Sequence, residues 1–236
     1  NCLDLMKIDK KLNIYGFIPV RSGSTRVKNK NFLILQNGKS LLDINLDLCN
    51  QLKIFNKVFI SSNKRINFKN KNFELDERSK ELSNNKTTLI RVIQNFIKKK
   101  KFNNSDIIII MLVTAPFKTY TDILKGLKIF LSQNKRKPLL SICKDPNSID
   151  LSLKIKKNMA IAVKPNLLWK NITKSGRLNT YFFNDAFIID EVGNLLKRKS
   201  LIARKNLYYL MPEYKSYLID TPFQMQMLNN YFNNDK

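Results

Sequence analysis

The chain has 236 residues, 43 Lys and Arg against 18 Asp and Glu, a formal net charge of +25, 43% hydrophobic residues and no histidine. Length and apolar content indicate one large globular domain and exclude a disordered chain, and the longest apolar run, Ile107 to Val113, is far short of the roughly 20 residues of a membrane span. Without histidine there is no Ser-His-Asp triad, Cys-His pair, His-ligated metal centre or imidazole base, so chemistry falls to carboxylates, Lys, Arg, hydroxyls, backbone amides and hard metal ions.

The opening residues hold no apolar signal-peptide core, so 1–12 read as a tail of a cytoplasmic protein. Cys2, Cys49 and Cys143 lie far apart, which suggests neither a zinc cluster nor a disulfide framework. Asn13 to Val20 reads as a buried strand, followed by a polar loop through Asn31. Ser40 to Leu52 repeats apolar residues at helical spacing behind a Ser cap, and Lys57 to Ser62 is a second strand. Thr87 to Lys101 is a helix whose closing lysines suit its dipole, and Asp106 to Val113 is a central strand buried on both faces. A loop, Thr114-Ala-Pro-Phe-Lys118, leads to a helix over Thr121 to Gln133 and a strand over Pro138 to Cys143.

This β-α-β-α-β order predicts a mostly parallel sheet with helices on both faces. Ile149 to Lys164 instead alternates around a Lys-Lys-Asn turn, which predicts a hairpin inserted into the domain. Tyr181 to Asp190 and Lys215 to Ile219 read as further strands, and Thr221 to Phe232 as a closing helix. With no linker or repeat, residues 13–236 form a single domain, with about 144–180 as the insert.

The +25 charge raises nucleic-acid binding as one reading. Lysines are nonetheless scattered over the whole chain alongside many Asn, and only Lys98 to Lys101 make a run of four. A dispersed positive field also attracts small anions, so the expectation is neither a nucleic-acid nor a membrane partner. The loop after the first strand is the place for such an anion, because strand ends and following amides converge there in parallel sheets. It contains Gly23 between hydroxyls, with Arg21, Arg26, Lys28 and Lys30 around it, and matches neither the dinucleotide nor the Walker spacing.

The stretch IPVRSGSTRVKNKN (Ile18 to Asn31) resembles the I-P-A-R-x-G-S-x-R-x-x-x-K-N signature of the CMP-nonulosonic acid synthetases. These are cytidylyltransferases acting on sialic acid, with relatives for Kdo, pseudaminic and legionaminic acids. Later blocks are similar in family order: Ile60 to Asn63, Arg78 to Asn85, Met111 to Lys118, Asn184 to Ile189 and Leu218 to Thr221. The resemblance implies a three-layer α/β/α, Rossmann-like nucleotide-diphospho-sugar transferase fold with a small hairpin insert that helps to build a homodimer.

It also implies attack of an anomeric hydroxyl on the α-phosphorus of CTP, which needs positioning and charge neutralisation rather than histidine. By resemblance, Val20, Arg21, Ser22, Gly23, Ser24 and Lys30 would hold the triphosphate, and Asn31 and Arg78 the ribose or base. Thr114, Lys118 and Asn184 would hold the sugar, and Asp220 a Mg²⁺ ion. Arg21, Lys30 and Asp220 would be the catalytic set. Six departures stand against the match: Leu218 and Leu112 replace an Asp and a Gln, Asn63 and Asn85 replace acids, Lys118 replaces an Arg, and Val20 stands where Ala is usual. Asp185, where the family has Gly, is a candidate second metal ligand. The alternatives are a diverged homologue that binds nucleotide with little or no turnover, and a Kdo-type enzyme. Trp169, Arg177, Lys164 and the Tyr181–Phe183 aromatics read first as surface or packing residues.

Overall fold

The computed structural model describes residues 12–133, 136–147, 149–168 and 178–234. The first apolar run becomes β1 (Ile14–Pro19), flanked by β2 (Lys57–Ser62) and by β4 (Ile107–Met111), both parallel to it. Every residue of β4 is fully buried, as a β-branched run in the middle of a two-sided sheet should be. The sheet continues beyond β2 to β3 (Phe73–Glu77). On the other side come the antiparallel β8 (Tyr181–Glu191), then β5 (Leu139–Lys144) and β9 (Leu207–Leu210), for an order of β3-β2-β1-β4-β8-β5-β9.

One face of the sheet packs α1 (Leu41–Leu52), α3 (Tyr120–Leu131) and α6 (Pro222–Asn234) through Leu41, Leu48, Ile123, Phe130, Met225 and Leu228. The other packs α2 (Leu89–Lys99) and α5 (Val192–Lys197), with Phe17, Phe59 and Phe96 in contact, their ring centroids 4.8–4.9 Å apart. Ser40 caps α1, its hydroxyl accepting from the Asp43 amide while the Asp43 carboxylate accepts from the Ser40 amide. Thr119 and Asp122 build the same box on α3. The three-layer architecture with a mostly parallel sheet is therefore as expected, and no described helix is long and apolar enough to cross a membrane.

The expected hairpin forms as β6 (Leu153–Lys156) and β7 (Met159–Ala162), a separate two-stranded sheet turning through Lys157 at φ 53°. Its side chains Ile155 and Met159 are exposed. The strand expected over Lys215 to Ile219 does not form. A 3-10 turn covers Glu213–Lys215, and beyond it the Ile219 amide donates to the Thr114 carbonyl (2.9 Å). The edge position beside β5 is taken by β9 instead. Tyr217, Leu218 and Ile219 all pack on the core without pairing in a ladder, so their apolar run reflects burial rather than a strand.

Candidate active site

The loop leaving β1 folds back on the strand ends. Val20 is buried, and its amide donates to the Ser61 carbonyl (2.9 Å), so the chain turns outward only at Arg21. Asn29, at φ 53°, starts a 3-10 turn over Lys30–Phe32 that carries Lys30 and Asn31 inward. The Lys30 ammonium donates to the Ile219 carbonyl and to Asp220 Oδ1, each at 2.7 Å. Arg26 stands 3.6 Å from the other oxygen of Asp220. Asn31 donates to the Arg21 carbonyl (3.1 Å), while its buried Oδ1 has no hydrogen-bond partner within the protein.

Facing this loop is Arg78, just beyond β3, with its guanidinium donating to the Ser61 carbonyl (2.9 Å) and hydroxyl (3.3 Å). Burial, and then the nearby Arg21 cation, pull Arg78 down to about 10, against the attraction of Asp76. Arg21 reaches across to Asn85 Oδ1 (2.6 Å) and to the Asn84 carbonyl (3.4 Å). Between these groups lies a cavity of about 280 Å³. Arg21, Ser24, Lys30, Asn31 and Arg78 supply its polar groups, and Leu82, Leu89, Val92 and Leu112 its apolar wall. Apolar side chains and cations lining one cavity suit a nucleotide, which offers a base to the first and phosphates to the second.

Six of the residues selected from the sequence, Arg21, Ser24, Lys30, Asn31, Arg78 and Thr114, line this one cavity. Val20 underlies it. A Cβ added to Gly23 would meet nothing within 4 Å, so the space in front of that backbone is open. Ser22 is turned aside, its amide and hydroxyl both donating to Asn63 Oδ1 (3.0 and 3.3 Å).

Asp220 joins the cavity through Lys30. Asp185 sits in β8 where the pairing with β5 shifts register between Leu140 and Ile142, in a left-handed conformation at φ 51°. Burial, and then the charge of Asp220, push its carboxyl up to about 6, against the opposing pull of Lys30, so the two acids and the lysine share one neighbourhood.

Lys118 and Asn184 lie outside the cavity lining. Lys118 is only 4% exposed, and its ammonium donates to the carbonyls of Leu112 (2.8 Å) and Ala115 (2.9 Å), pinning the loop that carries Val113 and Thr114. Asn184 is buried and donates to the Ser216 hydroxyl (2.8 Å). Trp169 and Arg177 fall outside the described residues, Lys164 is exposed beyond the hairpin, and Tyr181 is exposed at the start of β8.

The candidate residues did not include Asn84, Asn85 and Thr87 of the lining, Asn63 that holds Ser22, or most of the apolar wall. Two of the quoted blocks end at Asn63 and Asn85, which was the available signal; the wall residues come from α2 and its approach, where apolar spacing reads only as core.

The cytidylyltransferase family profile matches residues 15–223. Among solved structures, the chain is similar to Francisella tularensis 2-C-methyl-D-erythritol 4-phosphate cytidylyltransferase (TM-score 0.67, 14% identity, 92% of this chain and 98% of that one). It is similar as well to 4-diphosphocytidyl-2C-methyl-D-erythritol synthase of Anaerococcus prevotii (0.62, 14%, 94% and 96%). A third similar structure is CMP:2-keto-3-deoxy-manno-octonic acid synthetase in complex with CTP (0.64, 12%, 95% and 100%). At these identities the likeness shows the fold, and no curated protein matches in sequence. With the profile covering nearly the whole chain, the protein belongs to the cytidylyltransferase family, whose members use CTP for nucleotidyl transfer.

Proposed function

We propose that the chain transfers CMP from CTP to the anomeric hydroxyl of a nonulosonic acid of the sialic-acid type, releasing pyrophosphate. The observation that carries this reading is the Lys30–Asp220 contact at 2.7 Å, which ties the anion loop after β1 to the late acidic segment across 190 residues. The anomeric oxygen forms a bond to the α-phosphorus, the bond to the β-phosphate oxygen breaks, and the hydroxyl proton leaves to water. Arg21 and Lys30 neutralise the charge that grows on pyrophosphate, and preorganised cations in a part-enclosed site do this without reorganising at the moment of reaction. Arg78, held rigid by Ser61, presents its remaining donors to the cytosine edge. Thr114, with Leu112 and Val113 in the cavity lining, is the group left to meet the sugar, since Asn184 and Lys118 are buried outside that lining.

The residues present fit Mg²⁺. Among the described residues no group of three or more His, Cys, Asp or Glu exists, but Mg²⁺ is held by one or two carboxylates plus phosphate and water oxygens, and Asp220 with Asp185 meets that need. Bound there, the ion would screen the triphosphate and help to orient it. Asp185 then takes the place of the acid missing at Leu218.

Leu112 in the cavity wall favours a second reading, nucleotide binding without turnover, because it offers a sugar no polar contact. Incubation with CTP, Mg²⁺ and a panel of sialic, pseudaminic, legionaminic and Kdo acids, with pyrophosphate followed, separates the two. Release with one sugar supports the transfer. CTP binding with no release from any sugar supports the second reading, and unchanged CTP uptake by an R21A/K30A double variant refutes the site. A homodimer through the 149–164 hairpin belongs to the same proposal.

A further inference from the structure

Among the helices of more than ten residues, α6 stands apart: Pro222–Asn234 contains no Asp, Glu, Lys or Arg in a chain that is 26% charged. It has two apolar faces. Met225, Leu228 and Phe232 pack on the core, while Phe223, Met227 and Tyr231, spaced four apart, form an outward stripe that is 68%, 46% and 50% exposed. Beside and partly lined by the stripe is a cavity of about 710 Å³, walled by Phe117, Tyr214, Tyr217 and Tyr231, in which Glu213 is the one charged residue among those described. Among the described residues, the cations bordering this face are already engaged. Lys39 pairs with Asp47 (2.7 Å), Lys215 with Asp122 (2.9 Å), and Lys118 is buried under its two carbonyls.

We propose that this face joins two copies of the chain, α6 against α6 about a twofold axis, with Phe223 of each copy seated in the aromatic cavity of the other. A molecule of charge +25 repels its own copies, and a neutral aromatic face is where two can meet with their charges left outside. A protruding ring and an aromatic cavity on the same face are self-complementary, as an isologous contact requires. An anionic lipid or polymer would need free lysines at this face, and among the described residues those that border it are paired or buried. The contact also bears on the site. Gln224 Oε1, in the first turn of α6, accepts the amides of Asp220 (2.8 Å) and Thr221 (2.9 Å), so a braced α6 steadies Asp220. That consequence, unlike the interface itself, rests on the proposed CMP transfer.

The test is the solution mass of the full chain by light scattering, at about 0.1 M and about 1 M salt, where screening lengths are roughly 10 Å and 3 Å. Association strengthened by salt, and a mass halved in the F223K/M227K variant with CTP binding retained, are the expected results; halving is expected whether or not the hairpin adds a contact of its own. As a second variant, M227C should give a covalent dimer under mild oxidation that wild type does not. A monomer at both salts, association weakened by salt, or a mass indifferent to F223K/M227K overturns the proposal. So does sedimentation with phosphatidylserine vesicles that the variant loses, which assigns the face to lipid.

Discussion

Lys118 offers a measurement that reads its burial directly. Its ammonium lies beneath the 112–118 loop with the Leu112 and Ala115 carbonyls as partners, and burial pushes it down from 10.5 to about 7, with the neighbouring Cys49 pulling slightly upward. Between those two values the unfolded chain holds this proton and the folded chain does not, so folding stability must rise with pH across the window. Below pH 7 both states carry the charge, and the penalty of burying it is fully present. The limiting slope is about 1.4 kcal/mol per pH unit, and because the folded group is still half protonated at pH 7, the gain from pH 7 to pH 9 comes to about 2 kcal/mol. Replacing Lys118 by Met removes the titration while keeping the apolar length. Guanidinium unfolding of wild type and K118M at pH 6, 7, 8 and 9 gives the comparison, and the wild-type curve should climb by about 2 kcal/mol more than that of K118M. Cys49, whose thiol burial pushes up to about 12, begins to oppose the trend as the pH reaches the ordinary thiol value of 9, but it does so in both proteins, so the difference between the two curves still reads Lys118. Parallel curves for the two proteins would show that Lys118 titrates normally and that the buried-clamp account of the loop is wrong.

Arg78 replaced by Met should weaken CTP binding at least tenfold by calorimetry and narrow the preference for CTP over UTP, since the group presented to the base edge is gone; an unchanged CTP-to-UTP ratio would remove Arg78 from base reading. Changing Asn63 to Ala frees the Ser22 amide and hydroxyl from their shared acceptor and should raise KM for CTP several-fold with little change in melting temperature, whereas a large drop in melting temperature would mark Asn63 as purely structural. Gly126 to Ala places a Cβ 2.7 Å from Phe187 Cε2, which an aromatic ring wedged between α3 and the sheet cannot yield, and should cost about 1–3 kcal/mol in denaturant unfolding.

The parts of this fold that are legible in the sequence are those where burial imposes a period. β4, with four isoleucines and a methionine buried on both sides, and α2, with its apolar stripe and closing lysines, could be placed within two residues. β3 was not legible, because as an edge strand it shows half-buried residues interrupted by acids, and Phe73-Glu-Leu-Asp-Glu77 sits among lysines and asparagines that read as loop. β9 is short and equally marginal, with Tyr208 and Leu210 exposed. The six-residue α5 is too short to display a helical period. The site was legible where the chemistry lies in one stretch, as from Arg21 to Asn31. It was less so where a side chain is drawn elsewhere by a local partner: Ser22 is held by Asn63, and Lys118 by two carbonyls that no sequence pattern announces.

On the proposed function, Asp185 would explain how the chain can dispense with an acid at Leu218. A carboxylate two residues before Asp220 and a carboxylate on β8 are alternative ways of placing a second negative charge beside Lys30, and the second requires the chain to present Asp185 from a register shift in the sheet. A left-handed backbone is costly for most side chains, but Asp and Asn adopt it more readily than other non-glycine residues, so Gly can be exchanged for Asp here without refolding the strand. Backbone strain and a desolvated acid at one position both lower stability, and among the described residues neither is offset by a side-chain hydrogen bond of Asp185 in the way that Asp122 is offset by Lys215, Thr119 and Tyr209. Residues that cost stability without a local return concentrate at functional sites. Asp185 has that profile, it shares its neighbourhood with Asp220 and Lys30, and on the reading proposed above a cation beside the triphosphate is the partner that would repay both costs.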